Sequence, residues 1–149
     1  MPFGFVFDPA GRVVAAEAGA NALTTSTRGM DGSLSGAQSR SDGQAARCWV
    51  ASVAGSYSTA NAGSNSISGY SIDANGTATL LLTSGPTAGV VASTELGAID
   101  LGGSSDGRFL YAASGGAGTV DEFTVNPNGT LTKLGVITLS PGLEGIAAS

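Results

Sequence analysis

One passage of this chain occurs three times: Gly11-Arg12 to Gly32-Ser33, Gly55-Ser56 to Gly76-Thr77, and Gly107-Arg108 to Gly129-Thr130. Each copy is a turn, about twenty residues and a second turn. The leading glycines stand 44 and 52 residues apart. A repeat of roughly 40–50 residues that divides into four short strands is the sequence signature of a β-propeller blade. The expected fold is therefore all-β, a partial β-propeller of about three four-stranded antiparallel blades.

The third copy shows the division most clearly. Gly97-Ala98-Ile99-Asp100-Leu101 reads as an inner strand and Arg108 to Ala113 as a second. Gly115-Gly116-Ala117-Gly118 reverses the chain into Thr119–Val125, whose apolar positions are Val120, Phe123 and Val125. Asn126-Pro127-Asn128-Gly129 is a dense turn signal before a fourth strand, Thr130–Val136. The second copy runs Cys48–Val53, Tyr57–Asn61, Ser66–Ile72 and Thr77–Thr83, and its first turn, at Ala54-Gly55, is about two residues shorter than that of the third copy, which suggests either drift under relaxed demand or a tightened turn. The first begins with Phe3–Phe7 and continues with Arg12–Ala16 and Asn21–Arg28; its polar fourth segment, Ser33–Ser39, is expected to be the weakest strand.

Blades are thus expected at about 2–39, 45–84 and 96–140 in one propeller region, 1–149, with 84–89 a connection between blades. Gly145–Ser149 matches an inner strand, so one extra C-terminal strand is expected. Three blades leave two sheet faces without neighbours. Self-association, with a dimer closing a six-bladed ring, or further blades of a longer chain would cover them.

Composition narrows the partners. Eleven acidic and six basic residues give a net charge of −5, which disfavours nucleic acid and anionic lipid. No segment has the ~18–20 apolar residues of a membrane helix, and the amino terminus shows no basic, apolar leader pattern. Low charge with abundant Ser, Thr and Gly leans toward a secreted or periplasmic setting over a cytoplasmic one. One cysteine and no histidine leave no zinc cluster, so no metal or cofactor is expected.

The runs Pro2–Val14, Cys48-Trp49-Val50, Asn61–Tyr70 and Ser105–Tyr111 resemble the lactonase-type seven-bladed β-propellers, the 6-phosphogluconolactonase and carboxymuconate cyclase-like family. The resemblance is to the C-terminal three blades of a family more than twice this length. It implies a site at the central channel that uses histidine, arginine and a glutamate following the second strand of a blade. Glu17 matches that glutamate and would act as general acid or base, its other reading being a solvated carboxylate at the channel rim. Phe3-Gly4-Phe5 and Ala62-Gly63 stand where the histidine and arginines are expected. Two functions follow: a lactone hydrolase or cyclase-like activity on a small lactone or sugar-like ligand in a completed ring, or a non-catalytic binding module with that chemistry lost.

Other residues carry paired readings. Arg47 either binds an anionic substrate at the channel mouth or is a loop arginine paired with an acid. Cys48 reads as a small buried hydrophobe rather than a thiolate. Trp49 reads as blade packing, with sugar stacking as the alternative if it is exposed. Asp100, Asp121 and Glu122 are scattered carboxylates that would interest a cation only if brought together. Asp73, Asn75, Asn126 and Asn128 are turn residues.

Overall fold

The computed structural model describes residues 1–82 and 88–149. Thr83 of the expected outer strand and residues 84–87 of the expected connection lie outside the described residues. All regular structure among the described residues is β. The first sheet is β1 (Pro2–Phe7), β2 (Val13–Glu17), β3 (Ala22–Arg28) and β4 (Leu34–Ser41). The second is β5 (Arg47–Val53), β6 (Ser56–Asn61), β7 (Ser66–Ile72) and β8 (Ala78–Leu80), with β9 (Val90–Ser93) also on β7. The third is β10 (Ala98–Gly103), β11 (Phe109–Ser114), β12 (Thr119–Val125) and β13 (Leu131–Thr138). Each runs as an antiparallel meander in chain order, which is the expected arrangement of about three propeller blades.

Strand alternation decides which sheet each residue meets. In β2, Val14 and Ala16 point to the second sheet and are 0% exposed, while Val13, Ala15 and Glu17 point away from it and are half-buried. Val14, Ala16 and Leu23 join Val50, Tyr57, Tyr70, Ala78 and Leu80 in one core between sheets one and two. Ala51, Val53, Ala60, Ile67 and Val91 join Ala98, Leu101, Leu110, Ala112 and Phe123 in a second core, between sheets two and three. The molecule has no central core: it is a stack of three sheets with two apolar junctions.

Polar clamps fix the angle of each junction. Asn21 and Asn65 occupy the same place before the third strand, both with φ near +50°, which asparagine tolerates. Asn21 Oδ1 accepts the Ala46 amide at 2.9 Å, and Asn65 Oδ1 accepts the Gly97 amide at 2.9 Å. Each sheet thereby holds the chain entering the next. At the opposite end, Arg12 donates to the carbonyls of Asp73 and Ala74, and the Thr25 hydroxyl donates to that of Gly76.

Four details differ from expectation or refine it. Ser33–Ser39 was the expected weak strand, yet β4 has eight residues and pairs with β3 from Ala22↔Ser41 to Arg28↔Leu34. An outer strand needs the backbone ladder more than apolar side chains, and the Thr24 and Ser39 hydroxyls add a 2.8 Å hydrogen bond. The short outer strand is instead β8, with three residues. Gly69 joins β8 and β9 to β7, donating to the Gly89 carbonyl at 2.9 Å and accepting from the Leu81 amide at 3.0 Å, and β9 pairs with β7 beyond it. With β9 on β7, the second sheet extends to Ser93.

The thirteenth strand is this β9. Gly145–Ser149, the expected extra C-terminal strand, forms no ladder. It lies beside β10, where the Ile146 amide donates to Asp100 Oδ2 at 2.9 Å and Ala148 approaches Gly102. Finally, Ala54-Gly55 is a two-residue hairpin turn with φ of 50° and 78° at its central residues, the tightened turn that its shorter sequence suggests.

Candidate functional site at the inner-strand ends

The first strand of every sheet starts, and the second strand ends, at the same end of the stack. The register makes three sets of residues equivalent there: Pro2 opposite Glu17, Arg47 opposite Asn61, and Ala98 opposite Ser114. Glu17, Asn61 and Ser114 thus hold one position in three sheets, each on the face opposite the one that carries Ala16, Ala60 and Ala113. Their surroundings differ.

In the second sheet the position is built into a buried polar network. Arg47 is 0% exposed. Its guanidinium pairs with the Asp42 carboxylate, donates to the Asn21 carbonyl at 2.9 Å and to Asn61 Oδ1 at 3.3 Å, and lies 5.5 Å from the centre of the Tyr70 ring. Asn61 Nδ2 donates to the hydroxyls of Ser68 (2.7 Å) and Ser66 (3.1 Å), and Tyr70 donates to Asp42 Oδ2 at 3.1 Å. Burial works against the Asp42 charge, but the Ser68 hydroxyl and the Arg47 guanidinium hold its carboxyl below the ordinary value. Burial also pushes the Tyr70 hydroxyl well above its usual range. Of the two readings of Arg47, the structure adopts the acid-paired one, and an anionic ligand would have to open the junction to reach it.

The third sheet spends the position differently. Ser114 donates to Asp121 Oδ2 at 2.8 Å, the Glu95 amide donates to the same oxygen at 3.1 Å, and Lys133 Nζ lies 2.7 Å from Asp121 Oδ1. Partial burial opposes the Lys133 charge, and the carboxylates of Asp121 and Glu95 outweigh it, raising its pKa. Asp100 faces the C-terminal segment, where burial raises its pKa against the amides of Ile146 and Leu101. Asp100 and Asp121 therefore serve separate partners, and no group of three or more potential ligands is gathered for a metal among the described residues.

The first sheet leaves the position unspent. Glu17 closes β2 half-buried, on the same face as Phe3, Phe5 and Phe7, which are 50–60% exposed. A cavity of about 400 Å³ opens on that face, lined by Pro2, Phe5, Phe7, Val13, Ala15 and Leu34 among others. Next to it, Trp49 covers Gly4 so closely that a Cβ there would sit 2.7 Å from the indole. Trp49 still keeps 38% of its surface exposed, so packing and exposure coexist on one ring. Cys48 is half-buried, donates weakly to the Ala46 carbonyl, and has its thiol pKa pushed up by burial, the opposite of an activated thiolate.

Sequence reasoning named Glu17 and Arg47 but missed their equivalence across sheets, and it missed Asp42, Asn21 and Asn65. The signal was present in Asn21 and Asn65, each the residue before a third strand.

No family model and no curated protein matches the sequence. Solved structures do. The chain superimposes on a Lactobacillus plantarum protein with a TM-score of 0.78 and 16% identity, over 94% of this chain and 43% of that one. It superimposes on the periplasmic gluconolactonase of Pseudomonas aeruginosa with a TM-score of 0.76 and 20% identity, over 94% and 43%. A streptogramin B lyase gives 0.63 and 15%, over 98% and 44%. The chain spans less than half the length of each. At such identities the likeness is one of fold, and a fold shared by a lactonase and a lyase does not select a chemistry. The chain has the fold of three successive blades of a β-propeller, and a gluconolactonase is among the propellers it matches.

Proposed function

We propose that this chain supplies three blades of a lactonase-like propeller and that Glu17 is the proton-transferring group for a small lactone once the ring is complete. One observation carries the reading: at a position that the other sheets fill with hydrogen-bonded Asn61 and Ser114, the first sheet keeps a half-buried carboxylate with no hydrogen-bond partner among the described residues, beside an open apolar face. As general base, the Glu17 carboxylate takes a proton from water while the water oxygen bonds to the lactone carbonyl carbon. The ring C–O bond then breaks, the proton passes to the leaving oxygen, and a hydroxy acid results.

Opening of a neutral aldonolactone, followed by acid release in weakly buffered dye, tests this. Glu17→Gln is expected to lower the protein-dependent rate at least a hundredfold, with an unchanged melting temperature. An unchanged rate would sink the assignment. The burial of Arg47 and the lack of histidine favour a second reading, a non-catalytic binding module. In that case no turnover is seen, and sugar-like ligands shift the fluorescence of half-exposed Trp49 with or without the Glu17 change.

A further inference from the structure

We propose that the open face of the first sheet is a docking surface for a second copy of this chain, which seats its third sheet there. The inference is independent of the catalytic reading. It rests on how bulk is distributed between equivalent strand positions.

The third-strand residues Ser26, Tyr70 and Phe123 share one position, opposite Val13, Tyr57 and Leu110. Tyr70 and Phe123 are 0% exposed and give the two junctions their aromatic mass. The first sheet has Ser26 there, and its face is the one that holds the 400 Å³ cavity between Phe5, Phe7, Val13 and Leu34. The opposite, forward faces normally offer small groups in return. At the second-strand position they carry Val14 in the first sheet and Ser58 in the second, but Tyr111 in the third. The remaining forward positions keep the pattern in all three sheets: Ala16, Ala60 and Ala113, then Leu23, Ile67 and Val120.

At the third-strand position an aromatic side chain is thus missing from the open face of sheet one, whose aromatics Phe3, Phe5 and Phe7 stand on its first strand, and at the second-strand position one is present in excess on the open face of sheet three. These faces lie at opposite ends of the stack, so they meet only between copies. The contact would be head-to-tail and would continue the interface already used twice within the chain. Arg28 at the rim of the first face and half-buried Glu122 on the third bring opposite charges to it. Residues 145–149 lie over part of the third face without strand pairing, and a docked copy takes their place against Tyr111.

A size-swap experiment read by sedimentation equilibrium tests this. The chain is expected to form dimers or larger closed species. Ser26→Tyr, which adds bulk opposite cavity-lining Val13, and Tyr111→Ser, which removes bulk from the facing position, should each weaken association at least tenfold. The double variant recreates the Phe123-with-Ser58 arrangement and should return to within about threefold of the original. Both positions are half-exposed in the single chain, so melting curves should confirm that each variant is folded. A chain that stays monomeric over the whole concentration range overturns the proposal, as does a double variant no better than the weaker single one.

Discussion

The face that the first sheet turns outward and the face that the second turns toward it are made from the same strand positions, with opposite outcomes. Phe5 aligns with Val50 and Leu101; it is 60% exposed, whereas they are 1% and 3% exposed. Glu17 aligns with Asn61 and Ser114; it is half-buried, and they are fully buried. Period-two patterning fixes which side of a sheet is apolar, but only a neighbouring sheet turns that side into core. A repeat position therefore has no intrinsic energetic value. Its value is set by whether a junction exists beside it.

That contrast is broken most severely at Arg47. Replacing it by Ala leaves the Asp42 carboxylate buried without its cation, and a loss of about 3–5 kcal/mol in urea unfolding is expected. Glu17→Ala, one strand over in the unspent equivalent, is expected to stay within about 0.5 kcal/mol. A comparable contrast separates Phe123→Ala, about 3–5 kcal/mol, from Phe5→Ala, about 0.5 kcal/mol in the monomeric chain. Equal costs at the two positions would show that the first sheet's outer face is already packed.

Asn65→Ala removes the clamp on the Gly97 amide and places alanine at φ near +50°, for an expected loss of about 1–2 kcal/mol. Acid should act mainly on the junctions. At Asp8 burial opposes ionisation, yet the Arg12 guanidinium holds its pKa below the ordinary value, as Arg47 and Ser68 do for Asp42. Both carboxylates stabilise the fold above about pH 4, the unfolded aspartate pKa, and lose that contribution as pH falls through their lower folded values. Asp100 has the opposite sign, since its raised pKa makes protonation ease its burial. Urea midpoints measured between pH 6 and pH 3 should fall for the native chain and fall less for Asp42→Asn, which starts lower.

The smallest effect is expected at Ala54, which sits at φ 50° in the tight turn of the second sheet. Ala54→Asn should raise stability by about 0.5–1 kcal/mol, a gain visible in the melting temperature.

The turn spacing made the three-blade plan legible because hairpin geometry is local: Asn126–Gly129 and Asp73–Gly76 specify reversals through their own side chains. The shared pairing of β8 and β9 with β7 was less legible, although Val90-Val91-Ala92 after Gly89 and the lone Gly69 inside β7 both mark it. The Arg47 network was not legible, because Asn21, Asp42, Asn61 and Tyr70 are spread over fifty residues and converge only when two sheets pack. For the same reason Glu17 could be named from its place after a strand, while the difference between its surroundings and those of Asn61 required the stack.

Native-state amide hydrogen exchange tests the stacked-sheet account most directly. Protection should be greatest in β6 and β7, which lie between two junctions, intermediate in β2, β3 and β11, and least in β4 and β13. Uniform protection across the three sheets, or a first sheet that exchanges more slowly than the second, would contradict the claim that the two junctions hold this molecule together.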